Sequence, residues 1–399
     1  ELSPAYAYSG FTTAWNPFYY LCSILVLVVF VPFVAGLIQQ ENRPSSILVT
    51  LLNYLYFIPL TSYVGCKGAD FTFLLCGIVY WGLLLVGQYC IPTIQLAPVF
   101  LQKSKVIFKW LTVVSVCLVL FISGKYTGFR LTLDFVNVYG IREEASTYAI
   151  PSLLQYLLSF MTMVLSIVIL HWSKEKHFAI VAGLVVVYLF YFSIGAHKSV
   201  FLFLLLLLGC YLLYRKWMLQ WAPGFLILGV GACWFTSKVG FIIPMSTLVR
   251  RLMYVPVSLG ETYLQFFQNN PIDLFRNGLM GKLSFDSIYS TNIPSVIGEF
   301  VGSPEMDANT GLIGDMVANL PVPLGLLLMP LILVICFRVL DLVTYRLPTK
   351  ITVSFCAFFA ITFMNSSWST TLLSHGYLLA CLLLYLFPRK EENQTHAVS

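Results

Sequence analysis

The segment PFYYLCSILVLVVFVPFVAGLI, residues 17–38, contains no charged residue. A helix needs about 20 apolar residues to cross the hydrocarbon core of a bilayer, so this segment alone predicts one membrane span. Apolar runs recur along the whole chain, which has a mean hydropathy of +0.85. We predict about 11 transmembrane helices, at residues 17–38, 46–64, 71–90, 106–123, 150–171, 178–194, 200–214, 221–244, 322–342, 351–366 and 370–387.

The bilayer limits the fold that these segments can adopt. Backbone groups in the hydrocarbon core must bond to one another, so a spanning segment is either a helix or a strand of a closed barrel. The chain lacks the alternation of apolar and polar residues that is typical of outer-membrane strands. The sequence therefore predicts an all-α polytopic integral membrane protein, with residues 1–399 forming a single membrane domain.

The distribution of Lys and Arg predicts the orientation of the chain, because cytoplasmic loops are enriched in these residues. Basic residues are concentrated on one side, in the loops at 39–45, 91–105, 172–177, 215–220 and 343–350 and in the tail after 388. We predict that this side is cytoplasmic, with the N-terminus outside and the C-terminus inside. The external side then carries a charged loop at 124–149, the tetrapeptide HKSV at 197–200, and a large segment at 245–321 with amphipathic or re-entrant helices.

Composition argues against several kinds of site. The 10 cysteines include no C-x-x-C, and the five histidines show no ligand spacing. D-x-D is also absent, so we predict no protein-bound metal. Walker A and G-x-G-x-x-G sequences are absent as well. We predict no cofactor and no nucleic acid partner.

Basic residues on the external side require an explanation, because the positive-inside tendency disfavours them there. Arginine offers a planar fork of donors that binds a diphosphate through charge-assisted hydrogen bonds. A helix that begins near Ser199 would add its N-terminal N–H groups and its dipole. The residues predicted to bind a diphosphate are Arg130, Arg142, Lys198, Arg250 and Arg251.

Other interpretations of these basic residues stay open. Lys198 could place its ammonium group at the membrane interface and have no further role. Arg250 and Arg251 could anchor an interfacial helix. Arg130 and Arg142 could pair with nearby acids in a solvated loop.

Three residues are candidates for proton transfer. A helix over 128–139 would place Arg130 and Asp134 four residues apart on one face. Asp134 or Glu143 could then act as a general base toward a sugar hydroxyl, while the arginines stabilise a departing diphosphate. His197 is the third candidate, because the unperturbed pKa of histidine is near neutral.

The large external segment contributes candidates for sugar binding. Tyr263 and Phe267 could stack on sugar rings, although an aromatic belt at the membrane interface explains them equally. Asp315 is an ionisable residue close to an apolar segment, which makes it a functional candidate, with a helix cap as the alternative. Asn309 lies in the same polar approach to the membrane.

Four patterns, in this order along the chain, extend these observations over about residues 124–325. Their residues are Arg130, Asp134, Tyr139, Arg142 and Glu143; Gly195, Lys198, Ser199, Tyr214 and Arg215; Arg250, Arg251, Pro256, Tyr263, Phe266 and Phe267; and Asn309, Thr310, Gly311, Asp315, Asn319 and Gly325. Because the four patterns occur in this order, the chain resembles the Wzy-type O-antigen polymerases, the bacterial oligosaccharide repeat-unit polymerases.

The resemblance implies an enzyme of the inner membrane, a metal-independent glycosyltransferase with a GT-C-like bundle and an active site that faces the periplasm. It would transfer a growing glycan from undecaprenyl diphosphate to the non-reducing end of a repeat unit linked to undecaprenyl diphosphate. Tyr139, Tyr263, Phe267, Asn309 and Asp315 would contact the glycan. A chain-length regulator protein is the implied partner.

Two other functions stay open. An O-antigen ligase has a similar architecture, but its usual signature is a histidine in the large external loop, and 245–321 contains none. A flippase or other transporter is expected to carry charges within several spans and to show two similar halves. Here the unusual charges lie on one side, and no internal repeat is recognised.

Overall fold

The structure, a computed structural model, describes residues 11, 14–40, 42–96, 101–131, 144–145, 147–195, 198–278, 281 and 286–389. Within these residues the secondary structure is helical, with no strand. The helices are α1, Pro17–Gln39; α2, Pro44–Lys67; α3, Phe71–Cys90; α4, Lys103–Thr127; α5, Ser152–Lys174; α6, Phe178–Gly195; α7, Lys198–Leu213; α8, Lys216–Gln220; α9, Ala222–Lys238; the π-helix π1, Met245–Tyr254; α10, Val255–Phe267; α11, Ile293–Phe300; α12, Ile313–Asn319; α13, Val322–Val343; α14, Thr349–Asn365; α15, Trp368–Leu373; and α16, Tyr377–Tyr385.

Local sequence signals explain several helix ends. The side chain of Asn16 caps α1 by accepting a hydrogen bond from the N–H of Phe18 at 2.9 Å. Asp70 caps α3 in the same way, with the N–H of Thr72 at 2.8 Å. Short polar side chains at this position satisfy N–H groups that have no partner within the helix. Gly68 ends α2 in the left-handed conformation, with φ of 68°, which glycine adopts without steric cost.

The membrane character of the chain is confirmed. Among the described residues, seven helices are long and apolar enough to cross a membrane, namely α1 to α6 and α13. The remaining predicted spans are shorter or interrupted. Helices α7 and α14 are apolar but short, and the predicted span 370–387 is divided between α15 and α16 at Gly376, which has a φ of 78°. The prediction of about 11 spans is therefore not confirmed.

The chain divides into two compact units, which are described separately. The first contains the described residues within Glu1–Thr93, Arg215–Arg338 and Phe359–Thr371. In its core the Trp81 indole stacks on Tyr56 and Phe57, with ring centroids 5.8 Å and 5.0 Å apart. All three side chains are fully buried, which is typical of a well-packed interior.

The second unit contains the described residues within Ile94–Tyr214, Val339–Phe358 and Leu372–Ser399. Its helices α4, α5 and α6 pack on one another. The indole N–H of Trp172 donates to Thr112 Oγ1 at 2.9 Å and ties α5 to α4. The predicted single membrane domain stays a prediction.

Residues 245–321, predicted to be external, contribute to the first unit several helices that are too short or too polar to span a membrane. Helix π1 buries Met245, Val249 and Met253, which follow one another at every fourth residue, and exposes Arg251. A π-helix has more residues per turn than an α-helix, so this spacing forms one apolar stripe. Helix α10 follows directly and packs against the short helix α12. This pairing positions the candidate site.

Candidate functional site

A polar cavity of about 260 Å³ lies within the first unit, beside α12. It is formed by the end of α10, the segments around 273–278 and 307–310, the start of α11, α12, and the turn between α14 and α15. Its polar lining residues are Tyr263, Asp273, Asn277, Asn292, Asp307, Asn309, Thr310, Asp315, Asn319, Ser366, Ser367, Ser369 and Thr370. No Lys, Arg or His is among the described residues that line it.

The floor of the cavity is a pair of side chains on α12. Asp315 and Asn319 are four residues apart, so they lie on one face of the helix. The Asn319 side-chain N–H₂ donates to Asp315 Oδ1 at 3.0 Å and to the Asp315 backbone oxygen at 2.9 Å. Asn319 Oδ1 accepts the N–H of Phe275 at 2.7 Å, which ties the helix to the loop after α10.

Asp315 is held from a second direction by α15. Its Oδ2 accepts the N–H of Trp368 at 2.8 Å. The residue is only 4% exposed. Burial raises the pKa of the Asp315 carboxyl to about 7, while the hydrogen bonds from Trp368 and Asn319 act in the opposite direction. Asp315 can therefore exchange a proton near neutral pH.

Asp273 organises the loop that forms another wall. Its Oδ1 accepts a hydrogen bond from Ser287 Oγ at 2.6 Å, and its Oδ2 accepts the N–H of Asn277. Its own N–H donates to the Ala318 oxygen at 2.8 Å. Asp273 is fully buried, so these protein donors replace the water that its carboxylate would otherwise bind.

The rim of the cavity is built by residues on either side of Ala308. Asp307 Oδ1 accepts a hydrogen bond from Ser295 Oγ at 3.0 Å, which links the rim to α11. The Tyr263 hydroxyl donates to the Ala308 oxygen at 3.0 Å. Thr310 Oγ1 donates to the Pro256 oxygen at 3.1 Å, so α10 supports the rim at two points.

The lining indicates what kind of ligand the cavity suits. Carboxylates accept hydrogen bonds, and amides and hydroxyls both donate and accept them. A few convergent polar groups beside an aromatic ring are typical of a site that orients a small polar molecule. A diphosphate would require basic donors, which the described lining lacks. The cavity therefore suits a hydroxyl-rich ligand that carries no negative charge.

Three of the predicted sugar-binding residues, Tyr263, Asn309 and Asp315, line this one cavity. Phe267 does not line it, but its ring lies 6.1 Å from that of Tyr263. The structure thus places together residues that are about 50 positions apart in the sequence.

Of the predicted diphosphate-binding residues, three arginines have described side chains, and none of the three lines the cavity. In the first unit, Arg251 is exposed on π1 and Arg250 is half-buried, and neither lines the cavity. In the second unit, Arg130 Nη1 binds both carboxylate oxygens of Glu144, at 2.6 Å and 2.7 Å. Both side chains are exposed, and exposed ion pairs contribute little to stability. The role of Arg130 stays a prediction.

Lys198 is the first residue of α7, which agrees with a helix that begins near Ser199. The remaining predicted residues lie outside the part of the chain that the structure describes. They are Asp134, Tyr139, Arg142, Glu143 and His197. Their roles stay predictions.

Sequence reasoning missed several cavity residues. Asp273, Asn277 and the hydroxyls of 366–370 were not selected, although the run NSSWSTT at 365–371 is a polar interruption between two apolar segments. The spacing of Asp315 and Asn319 was also visible in the sequence. Neither signal reveals by itself that residues 365–371 contact helix α12.

Comparisons of the chain with protein-family models, curated proteins and solved structures find no match. The part of the chain that the structure describes contains no group of three or more His, Cys, Asp or Glu side chains arranged to hold a metal ion. Whether the protein acts without a metal stays a prediction.

Proposed function

We propose that the chain is a membrane-embedded glycosyltransferase that polymerises lipid-linked oligosaccharides, as O-antigen polymerases do. The observation that carries the proposal is the polar cavity beside α12, which combines three carboxylates, four amides and several hydroxyls with the ring of Tyr263. Sugars present many hydroxyl groups, each of which both donates and accepts hydrogen bonds. This lining matches them, and its described residues include none of the cations that an anionic ligand would need.

In this proposal the sugar and the lipid diphosphate are bound by different parts of the protein. The cavity binds a sugar of one substrate, and external arginines, including Arg251 on π1, bind the diphosphate. Bidentate donors stabilise the negative charge that grows on a diphosphate as it leaves. The substrates are a growing glycan on a polyprenyl diphosphate and one lipid-linked repeat unit.

The proposal includes a location and an architecture. The protein would lie in a bacterial inner membrane, with about 11 spans in a GT-C-like bundle and the cavity open to the periplasm. The support is the seven long apolar helices of the described residues and the concentration of Lys and Arg on one side of the predicted topology. A chain-length regulator is the proposed partner.

Deletion of the gene tests the function. Lipopolysaccharide from the deletion strain is expected to carry a single repeat unit on its core, without the ladder of longer chains, and the wild-type gene should restore the ladder. Naked core would instead indicate ligation or flipping. Polymer retained on the lipid carrier would then identify a ligase, and its absence would favour a transporter.

A further inference from the structure

The three carboxylates of the cavity have different surroundings. Asp273 is fully buried, and both of its oxygens bind groups of its own loop, so its role is to hold that loop in place. Asp307 is exposed at the rim. Asp315 is the buried carboxylate of the floor, held on a helix that packs against α10.

The hydrogen bonds of Asp315 fix the orientation of its carboxylate, but they do not use all the hydrogen-bond acceptor positions of its oxygens. One N–H donor binds each oxygen, from Asn319 at 3.0 Å and from Trp368 at 2.8 Å. An ionised carboxylate has about four acceptor positions, so each oxygen can accept a further donor. Two donors from different helices restrict rotation of the carboxylate, and such restriction is what a proton-transfer group requires.

We infer that Asp315 accepts the proton of the attacking sugar hydroxyl and that the cavity is the site of the acceptor saccharide. This inference rests on the proposed function. The sequence nominated Asp134, Glu143 and His197 for the same role, and all three lie outside the described residues. Asp315 provides a buried carboxylate inside a cavity whose lining already suits a sugar.

The chemical step balances without an oxidant or a reductant. The hydroxyl oxygen of the acceptor forms a bond to the anomeric carbon of the donor glycan. The bond from that carbon to the diphosphate oxygen breaks, and the lipid diphosphate leaves with the electron pair. The proton of the hydroxyl passes to a carboxylate oxygen of Asp315 and is later released to water.

The groups around Asp315 determine the pH at which it can act. Tyr80 on α3 and Tyr263 on α10 interact with it electrostatically, and Asp273 and Asp307 are the other acids of the cavity. No cation lines the described cavity to stabilise the ionised form. Burial raises the pKa of Asp315 to about 7, so the fraction of deprotonated base increases as the pH rises through that value.

The test uses the full-length protein in detergent and lipid-linked repeat units extracted from the deletion strain. Polymer is measured on gels over a range from about pH 5.5 to about pH 8.5. The wild-type rate should rise through about pH 7 and then level off. Asp315→Asn should lower the rate at least about 100-fold, the lower end for loss of a general base.

Two further variants make the result specific. Asp315→Glu keeps a carboxylate and should retain partial activity with a displaced pH profile. Glu305→Gln removes an exposed charge from the same external segment and should leave the rate and the profile unchanged. Elution of each variant as a monodisperse species shows that the substitution has not unfolded the protein.

Each outcome bears on a different claim. If wild-type protein makes no polymer from these lipids, the proposed function fails. If wild-type protein polymerises them and Asp315→Asn does so at a comparable rate, only the role of Asp315 is overturned. A wild-type rate that does not change over this pH range overturns that role even if Asp315→Asn does not fold.

Discussion

At the scale of single residues, Glu261 on α10 is a buried carboxylate that no sequence pattern marks as a candidate. It is 4% exposed and accepts hydrogen bonds from Lys67 Nζ and from the Tyr63 hydroxyl, each at 3.0 Å. Its other oxygen accepts the N–H of Asp70 at 3.0 Å. These bonds join the end of α2 to the helix that supports the cavity.

Lys67→Met is expected to destabilise the protein, because it leaves a buried carboxylate without its cation. Loss of one partner of a fully buried pair typically costs about 3–5 kcal/mol. The loss here should be smaller, because the Lys67 side chain is 24% exposed. Thermal unfolding in detergent measures the effect. The double variant Lys67→Met/Glu261→Gln should lose less stability than Lys67→Met alone, since it also removes the unpaired charge.

Lys109 is the control for this prediction, because it is an exposed lysine of the second unit. Lys109→Met should change the unfolding temperature little. Equal losses of thermal stability in Lys67→Met and in the double variant would show that Lys67 does not stabilise the buried charge of Glu261.

At the scale of elements, the segment before α12 is packed tightly against the end of α14. The N–H of Gly311 donates to the Met364 oxygen at 3.1 Å. A Cβ atom at Gly311 would overlap the carbonyl oxygens of Phe363 and Ser366. The next residue, Leu312, has a φ of 50°, a backbone conformation that residues other than glycine rarely adopt. The position of α12, and therefore of Asp315, depends on this contact.

Gly311→Ala is expected to displace α12 and to lower both stability and polymerisation. Overpacking commonly costs about 1–3 kcal/mol, and backbone atoms cannot move aside as a side chain can. Thermal unfolding and the polymer gel measure the two effects.

Gly183 provides a matched control, because a Cβ atom there meets no atom within 4 Å. Gly183→Ala lies inside α6 and should leave stability unchanged or raise it by up to about 1 kcal/mol, since alanine favours helices. A Gly311→Ala protein with wild-type stability would contradict the tight packing of α12.

At the scale of the whole molecule, basic residues of the predicted cytoplasmic side bind carbonyl groups at helix ends. In the first unit, Arg338 donates to the Gln88 and Ile91 oxygens at the end of α3. In the second unit, Arg389 donates to the Val343 oxygen at 2.7 Å and to the Tyr385 oxygen at 2.8 Å, at the ends of α13 and α16. The last carbonyl groups of a helix have no partner within it and attract cations.

Reporter fusions test the orientation that these residues predict. Green fluorescent protein attached to the C-terminus should fluoresce, because it folds in the cytoplasm. Alkaline phosphatase inserted at Gly302, an exposed position of the segment predicted to be external, should be active, because this enzyme folds in the periplasm. The opposite pair of results would place the cavity on the cytoplasmic side and contradict the proposed periplasmic reaction.

From hydropathy alone, the sequence identifies a helical membrane protein and locates the seven long apolar helices of the described residues, because hydropathy adds up along a contiguous segment. It also selected Tyr263, Asn309 and Asp315 as individual candidates. That these residues share a cavity with Asp273 and with the hydroxyls of 366–370 becomes visible in the folded chain. The physical reason is that the cavity depends on contacts between distant segments, such as the bond from Trp368 to Asp315, and a local pattern of residue types does not specify them.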